Sequence, residues 1–228
     1  MNTYFIGDVH GCNRTLQALL QRLPLGKGDR LVFLGDLIDR GPDSMGVVKT
    51  VWQLQQDGMQ VVCLRGNHEQ LLLDTYGNPH LLDLWCLNGG RQTLDSFGIS
   101  SIEQLDLEYV NFFEAMPLWY EVPGYIAVHA GLNFSAPNPL DDHRVLLWLR
   151  HWYEQIDYQW LGNRIIIHGH TPASLAIIEH QCEHLTQYKY LNLDNGCVYA
   201  CVSPQAGLGN LLAFQIDTRE LFVQPFVG

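Results

Sequence analysis

The sequence is poor in positive charge. Its 228 residues include 13 lysines and arginines against 24 aspartates and glutamates, a formal net charge of −11, and no basic run occurs along it. Nucleic-acid binders usually carry a basic face, because neutralising phosphates and releasing counterions supplies much of their affinity. We therefore expect no nucleic-acid partner. An acidic chain can still bind small anions where bound cations invert the local field.

Long apolar runs and a secretory leader are also missing. No stretch approaches the ~20 apolar residues of a membrane helix, and the N-terminus lacks a basic segment and a small-residue cleavage site. We expect a cytoplasmic protein with no membrane partner. The length and the 47% apolar content fit one folded domain over residues 1–228.

The six cysteines show no C-x-x-C spacing, which argues against a zinc knuckle or a disulfide framework. They are expected to be reduced thiols. Cys197 and Cys201 lie close together in sequence, and a redox pair there is the alternative.

The first third of the chain alternates between strand and helix patterns. TYFIGD, RLVFLGD and QVVCLRGN read as strands, and the second helix between them begins near Asp43 or Ser44. A mostly helical middle follows over roughly residues 69–117. Strand patterns return in YEVPGYIAVHAG, RIIIHGH, YKYLNLD, GCVYACV, NLLAFQID and ELFVQPF, whereas LWLRHWYEQIDYQW favours a packing helix. The simplest architecture is α/β, with two sheets between helical layers.

Polar side chains collect where five strand patterns end. The clusters read G-D-V-H-G, G-D-L-I-D-R-G, R-G-N-H-E, H-A-G and H-G-H-T-P. Their candidate ligands are Asp8, His10, Asp36, Asn67, His129 and one or both of His168 and His170. Ligands bind beyond the carboxyl ends of strands in open α/β sheets, so we expect these clusters to converge.

Asp8 and His10 admit a simpler explanation when taken alone. In an extended chain they point to the same face, and a hydrogen bond at a strand end would account for them. Five such clusters together are not explained in this way, because packed carboxylates repel one another and their burial is costly without cations. The sequence therefore predicts a metal site.

The ligand types indicate which metals fit. Carboxylate, imidazole and amide oxygen without thiolate suit Mn²⁺, Fe²⁺ or Zn²⁺, and the histidines argue against Ca²⁺ or Mg²⁺ alone. Six ligands exceed the need of one ion with open positions, so two ions are predicted. Paired ions about 3.5–4 Å apart can clamp an in-line displacement at phosphorus and hold a bridging hydroxide as nucleophile.

The order of the five motifs resembles the calcineurin-like metallophosphoesterases. More narrowly, it is similar to their phosphoprotein phosphatase branch, in particular the compact bacterial and bacteriophage Ser/Thr phosphatases, from Tyr4 to about Gly196. The resemblance implies a four-layer αββα sandwich of two mixed β-sheets flanked by helices. It also implies two divalent ions, with Mn²⁺ expected and Fe or Zn as alternatives.

The resemblance assigns a ligand to each motif. The implied ligands are Asp8 and His10 for the first metal, Asp36 as the bridge, and Asn67, His129 and His170 for the second metal. His170 matches the histidine of G-H-T-P. His168 is the alternative, since it lies two positions earlier and an extended chain would place it on the same side.

Other motif residues match catalytic positions of the family. His68 resembles its general acid, with Asp39 orienting the imidazole. Arg40 and Arg65 resemble phosphate-binding arginines, and Arg150 resembles a third arginine in a W-x-R context. Two alternatives stay open at this point: Arg40 as a structural ion pair with an aspartate, and Arg150 as a surface residue of a helix. The other histidines lack partners at ligand spacing and are expected at the surface: His80, His143, His151, His180 and His184.

The substrate is less determined than the chemistry. The resemblance favours phosphoserine and phosphothreonine of proteins or small phosphomonoesters, with a symmetrical diadenosine tetraphosphate hydrolase as the alternative. That branch tends to have A-R-G where Asp39 begins the motif here, aspartate in place of Glu69, and a long insertion before the final histidine. Here His129 and His170 lie only 41 positions apart. A scaffold that has lost its site is disfavoured because every ligand position is filled.

Overall fold

The computed structural model describes residues 1–200 and 207–228, which form two β-sheets. The strands of the first sheet are β1 (Thr3–Ile6), β2 (Arg30–Phe33), β3 (Gln60–Cys63), β8 (Asp194–Asn195), β9 (Asn210–Gln215) and β10 (Glu220–Pro225). Their order is β10-β9-β1-β2-β3, with β8 paired to β9. β1, β2 and β3 run parallel, whereas β9 is antiparallel to β1, β8 and β10. The sheet is therefore mixed.

The second sheet is also mixed. Its strands are β4 (Trp119–Val122), β5 (Tyr125–Val128), β6 (Ile165–His168) and β7 (Tyr190–Asn192), in that order. β4 and β5 form an antiparallel hairpin, and β5, β6 and β7 run parallel. The hairpin turns at Gly124, whose φ of +83° favours glycine.

Ten α-helices occur in the described residues, together with short 3₁₀ segments. They are α1 (Asn13–Arg22), α2 (Ser44–Gln56), α3 (Asn67–Gly77), α4 (Leu82–Trp85), α5 (Arg91–Phe97), α6 (Leu107–Glu114), α7 (His143–Trp148), α8 (Tyr158–Leu161), α9 (Leu175–Glu183) and α10 (Leu185–Tyr188). Asp43 caps α2 by accepting the Gly46 N–H at 2.9 Å, as the predicted start of this helix requires. No described helix is long and apolar enough to cross a membrane.

Strands β1, β5 and β6 are almost entirely apolar because both faces of each are buried. Tyr4 and Ile6 pack with α1 and α2, whereas Phe5 between them joins the apolar layer between the two sheets. In the second sheet Ile165 and Ile167 face that layer, and Ile166 packs with α7 and α8 on the outer side. Near-continuous apolar runs are typical of strands covered on both sides. The predicted four-layer αββα sandwich is confirmed.

Some element predictions are wrong in detail. QVVCLRGN is not a strand to its end, because β3 stops at Cys63 and Asn67 begins α3. GCVYACV is not a strand where it is described: Cys197–Tyr199 is a 3₁₀ helix, since Asp194 Oδ1 accepts the Gly196 N–H at 2.8 Å and turns the chain. The segment LWLRHWYEQIDYQW is broken into short pieces. Its Trp152 is buried, with the indole donating to Ala130 O at 3.0 Å.

The cysteines and the domain organisation were also predicted from the sequence. The five described cysteines are free thiols, and Cys201, the partner in the redox-pair alternative, lies outside the described residues. A single domain over residues 1–228 stays a prediction.

Candidate metal centre

The structure brings the polar clusters together at the carboxyl ends of the parallel strands. The segments after β1, β2, β3, β5 and β6 contribute Asp8 and His10, then Asp36 and Asp39, then Asn67 and His68, then His129, and finally His170. Each of these eight side chains is buried. The convergence expected from the strand ends is thus present in the fold.

The turns that carry these side chains have unusual backbone conformations. Positive φ angles occur at His10 (45°), Asp36 (51°), Asp39 (71°), Arg40 (69°) and His170 (72°). Non-glycine residues rarely adopt this left-handed region, and such strain tends to occur at functional sites. Asp8 and His10 do not share a face through strand alternation, contrary to the expectation from the sequence, because β1 ends at Ile6 and His10 lies in a left-handed turn.

Asp36 occupies the middle of the cluster. Its Oδ2 lies 3.5 Å from His10 Nε2 and 3.9 Å from His68 Nε2, and its Oδ1 lies 3.5 Å from His129 Nε2. Burial opposes ionisation, but the surrounding imidazoles outweigh it and lower the pKa of Asp36. Two groups of possible ligand atoms share this carboxylate, each with its atoms within 4.8 Å of one another: His10, Asp36 and His68, and Asp36, His129 and His170.

Asn67 joins the second group. Its Oδ1 lies 2.9 Å from His129 Nε2 and 2.8 Å from His170 Nδ1. His129 is oriented from behind by the Leu34 carbonyl, 2.8 Å from Nδ1. Burial, followed by the neighbouring His129, lowers the pKa of His170 to about 3, so its imidazole is neutral, the form that binds metals.

His168 faces away from this group. Its Nε2 lies 3.1 Å from the Tyr153 hydroxyl and its Nδ1 lies 3.0 Å from Gly169 O. It therefore packs with the aromatic side chains outside the second sheet. Because His170 lies in a left-handed turn, its side chain and that of His168 point in different directions. Alternation along a strand would have placed both on the same side.

Asp8 belongs to neither of these two groups of possible ligand atoms. Its carboxylate accepts the His170 N–H at 3.1 and 3.3 Å. Burial and the charges of Asp194 and Asp36 raise the pKa of Asp8 well above its usual value, and burial raises that of Asp194 to about 7. Sequence reasoning missed Asp194. Its position shortly after the apolar run of β7, in NLDNG, is the signal that would have identified it.

Three side chains hold the Asp39 carboxylate in place. Its Oδ2 lies 2.7 Å from His68 Nδ1 and accepts the Trp85 indole N–H at 2.9 Å, and its Oδ1 accepts the Thr93 hydroxyl at 2.6 Å. Burial lowers the pKa of His68, but Asp36 and Asp39 outweigh burial and raise it. Sequence reasoning gave no indication of Trp85 or Thr93, which lie in the helical middle segment.

Glu69 supports the loop that carries Asp36. Its carboxylate accepts the N–H groups of Asp36 (2.9 Å), Leu37 (2.7 Å), Ile38 (3.4 Å) and Gly66 (2.8 Å). Burial and the charge of Asp36 raise the pKa of Glu69 to about 7. The sequence identified Glu69 only as a position that differs between family branches and did not predict its supporting role.

The three arginines have different surroundings. Arg40 donates to His10 Nε2, and its guanidinium lies 5.7 Å from the Tyr199 ring centre. Among the described residues it forms no ion pair with an aspartate, which argues against the structural alternative. Arg65 donates to Glu114 O at 2.6 Å and to Gln70 Oε1 at 3.1 Å. Arg150 is exposed and follows α7, so it is not a helix surface residue.

Two cavities are each lined by an arginine and an aromatic ring that include contacts of the cluster. One, of about 430 Å³, is lined by Arg40 and Tyr199 among others. The other, of about 450 Å³, is lined by Arg65, Arg144 and Trp148 among others. The half-exposed ring of Trp148 meets His170 edge-on at 6.4 Å. The cavities thus adjoin the two groups of possible ligands, the first at His10 and the second at His170.

The residues present fit divalent cations. They offer carboxylate, imidazole and amide oxygen atoms without a thiolate. Within the part of the chain that the structure describes, His170 Nε2 is buried and has no hydrogen-bond partner. Burial and, after it, neighbouring carboxylates raise the pKa values of Asp8 and Asp194, and a cation would offset this crowding of negative charge.

Comparison with known proteins gives a consistent picture. The sequence model of the calcineurin-like phosphoesterase family matches residues 1–201. An asymmetrical bis(5'-nucleosyl)-tetraphosphatase, PrpE of Oceanobacillus iheyensis, is 24% identical over 263 residues, covering 100% of this chain and 95% of its own. Serine/threonine-protein phosphatase 1 of Salmonella typhimurium is 41% identical over 90 residues, which are 39% of each chain.

The fold also has solved counterparts. A crystal structure described provisionally as that of a diadenosine tetraphosphatase superposes with a TM-score of 0.66 at 22% identity, covering 100% of this chain and 94% of its own. At this level of identity the likeness concerns the fold.

Proposed function

The chain belongs to the calcineurin-like phosphoesterase family and is a metal-dependent hydrolase, and we propose that its substrate is a dinucleoside polyphosphate. The observation that carries the proposal is the pair of arginine-and-aromatic cavities whose Arg40 and Trp148 contact the candidate metal centre. Tyr199 and Trp148 would each stack on a nucleobase, while Arg40 and Arg65 would hold the phosphates between them. The match to PrpE over nearly its whole length supports this choice.

The proposed metal ligands are those implied by the sequence motifs. Two divalent ions would be held by Asp8 and His10, by Asp36 between them, and by Asn67, His129 and His170. We propose Mn²⁺, with Fe²⁺ and Zn²⁺ as alternatives suited to the same donors. When bound, such ions polarise phosphoryl oxygens and make a water molecule acidic enough to attack phosphorus near neutral pH.

The other side chains have roles that follow from their positions. His68 would donate the proton that the leaving oxygen needs, from Nε2, because its Nδ1 is engaged by Asp39 at 2.7 Å. Arg40, Arg65 and, from the exposed side, Arg150 would neutralise phosphate charge. In an otherwise acidic chain these arginines make the site locally attractive to anions.

A phosphoserine or phosphothreonine side chain of a protein is the second candidate substrate. It is favoured by the 41% identity to the Salmonella phosphatase over 90 residues and by the short spacing between His129 and His170. This chain spans only 39% of that relative's length. The cytoplasmic location stays a prediction.

Two measurements test the proposal. Mn²⁺ should stimulate hydrolysis of p-nitrophenyl phosphate, and Asp36→Asn should abolish this activity; turnover that persists in the variant would contradict the metal assignment. The kcat/KM for diadenosine tetraphosphate should exceed that for a phosphoserine peptide by about 10²-fold, a difference of about 2.7 kcal/mol in transition-state binding. A preference of the same size for the phosphoserine peptide would reverse the choice of substrate. Product analysis distinguishes symmetrical cleavage to two ADP from asymmetrical cleavage to AMP and ATP.

Variants of the two rings examine the cavities. Tyr199→Ala and Trp148→Ala should each raise KM for the dinucleotide, because stacking on a base contributes ~1–3 kcal/mol. The fold-increase in KM should be about ten times larger for the dinucleotide than for p-nitrophenyl phosphate. Trp119→Ala, at an exposed tryptophan of β4, is the matched control. Equal effects on both substrates would argue against base stacking.

A further inference from the structure

The outer face of α9 carries a separate set of side chains that could bind a metal ion, outside the phosphoesterase motifs. His180, Glu183 and His184 offer ligand atoms that all lie within 4.8 Å of one another. They form the sequence H-Q-C-E-H, with the two histidines four positions apart. The expectation that His180 and His184 lack partners at ligand spacing is wrong, because residues four apart on a helix are neighbours on its surface.

The opposite face of the helix fixes the position of this group. Ile178 and Leu185 are buried, and Gln181 accepts the Asn192 N–H of β7 at 2.9 Å. These inward contacts hold the end of α9 and the start of α10 against the sheet. His180 and Glu183 are consequently exposed, and a dissolved ion reaches them without any rearrangement of the core.

The two imidazoles are already oriented by hydrogen bonds. His184 Nδ1 lies 2.9 Å from His180 O, and His180 Nε2 lies 3.0 Å from the Tyr188 hydroxyl. Their ring centres are 4.2 Å apart. A hydrogen bond at one ring nitrogen fixes the tautomer and leaves the other nitrogen for a metal, which is the usual arrangement around metal-binding histidines.

Glu183 supplies the negative charge of the group. Among residues 1–200 and 207–228 its carboxylate takes part in no ion pair. Two imidazoles and one carboxylate suit borderline transition metals better than Mg²⁺ or Ca²⁺, and three protein ligands leave a position for water.

We propose that His180, Glu183 and His184 bind one transition-metal ion of the Zn²⁺, Ni²⁺ or Cu²⁺ class. Bound there, the ion connects the last turn of α9 to the residue that joins it to α10. The site depends on its own three side chains and not on the proposed substrate. Its loss and the loss of the candidate catalytic metals are therefore separable.

Metal counting tests the assignment with Zn²⁺ as the probe. After dialysis against Zn²⁺ at pH 7.5, the wild type should retain one more zinc per chain than His180→Gln/His184→Gln, because the candidate catalytic centre contributes equally to both. His80→Gln, at an exposed histidine on another segment, should retain as much as the wild type. The additional zinc should be released below about pH 6, as imidazoles protonate.

Single charge-neutralising variants examine the carboxylate. Glu183→Gln should weaken binding of the additional zinc by about tenfold, since it removes the anionic ligand. Glu179→Gln, one turn earlier on the same exposed face, should not. Equal zinc content in the wild type and the double variant, or equal effects of the two glutamate variants, would overturn the proposal. All variants lie on the surface, and circular dichroism verifies that each is folded.

Discussion

His68 and Asp39 form a buried pair in which the imidazole Nδ1 lies 2.7 Å from the carboxylate Oδ2. Trp85 and Thr93 donate to the same carboxylate, so its position does not depend on the histidine. The ring is thereby oriented with Nε2 toward Asp36, at 3.9 Å. This arrangement suits a general acid whose proton is held at one nitrogen and directed into the site.

Asp39→Asn should reduce kcat in a manner that depends on the leaving group. The amide cannot accept hydrogen bonds from Trp85, Thr93 and His68 together, so the imidazole loses both its orientation and its nearby charge. We expect kcat for phenyl phosphate to fall about 10²-fold, and kcat for p-nitrophenyl phosphate to fall much less, because the better leaving group needs less protonation. Asp57→Asn, at an exposed aspartate, is the control. Equal losses on both substrates would contradict the acid role.

His170→Ala and His168→Ala should have opposite consequences. The first should remove bound Mn²⁺ and activity, because it deletes an imidazole whose buried Nε2 has no hydrogen-bond partner among the described residues. The second should cost about 2–3 kcal/mol of stability and retain the metal, because it leaves a cavity and an unpaired Tyr153 hydroxyl. Metal content after dialysis and urea unfolding measure the two effects. Loss of metal from the His168 variant alone would show that the wrong histidine was chosen.

Glu69→Gln should destabilise the fold and the site together. One carboxylate oxygen that accepts backbone N–H groups becomes an NH₂ group facing those donors. We expect a loss of about 2–3 kcal/mol in the free energy of unfolding and weaker metal binding, because the Asp36 loop loses its anchor. The exposed Glu108→Gln is the control, and chemical unfolding is the measurement. Wild-type stability in Glu69→Gln would disprove the anchoring role.

Asp29→Asn should give a pH-dependent loss of stability. Asp29 accepts the Asn2 N–H at 2.7 Å and the Gly26 N–H at 2.9 Å; burial raises its pKa, but these hydrogen bonds outweigh burial and lower it. A group with a lowered folded-state pKa contributes stability above its unfolded value of about 3.9, and the contribution disappears as pH falls through the folded value. The variant should therefore be about 1–2 kcal/mol less stable at pH 7, with the difference shrinking below about pH 4. A difference that grows on acidification would contradict this sign.

The sequence by itself determined the class of fold and predicted the place of the candidate site. Apolar runs separated by helical patterns indicated strands buried on both faces, and polar residues at their ends converge wherever such strands run parallel. These are local patterns, since each depends on a few neighbouring residues. The choice of His170 over His168 for the cluster came from the G-H-T-P match alone, and the positions of the two side chains agree with it.

Tertiary structure decided the contacts between distant segments. Trp85 and Thr93 lie 46 and 54 positions from Asp39, and no periodicity connects them. Left-handed turns at His10 and His170 redirect side chains that strand alternation would have placed differently. The positions of Asp194 and Glu69 and the two arginine-and-aromatic cavities became evident for the same reason. Local patterns predict where strands and helices lie along the chain. Only tertiary packing brings side chains from separate segments within hydrogen-bonding distance.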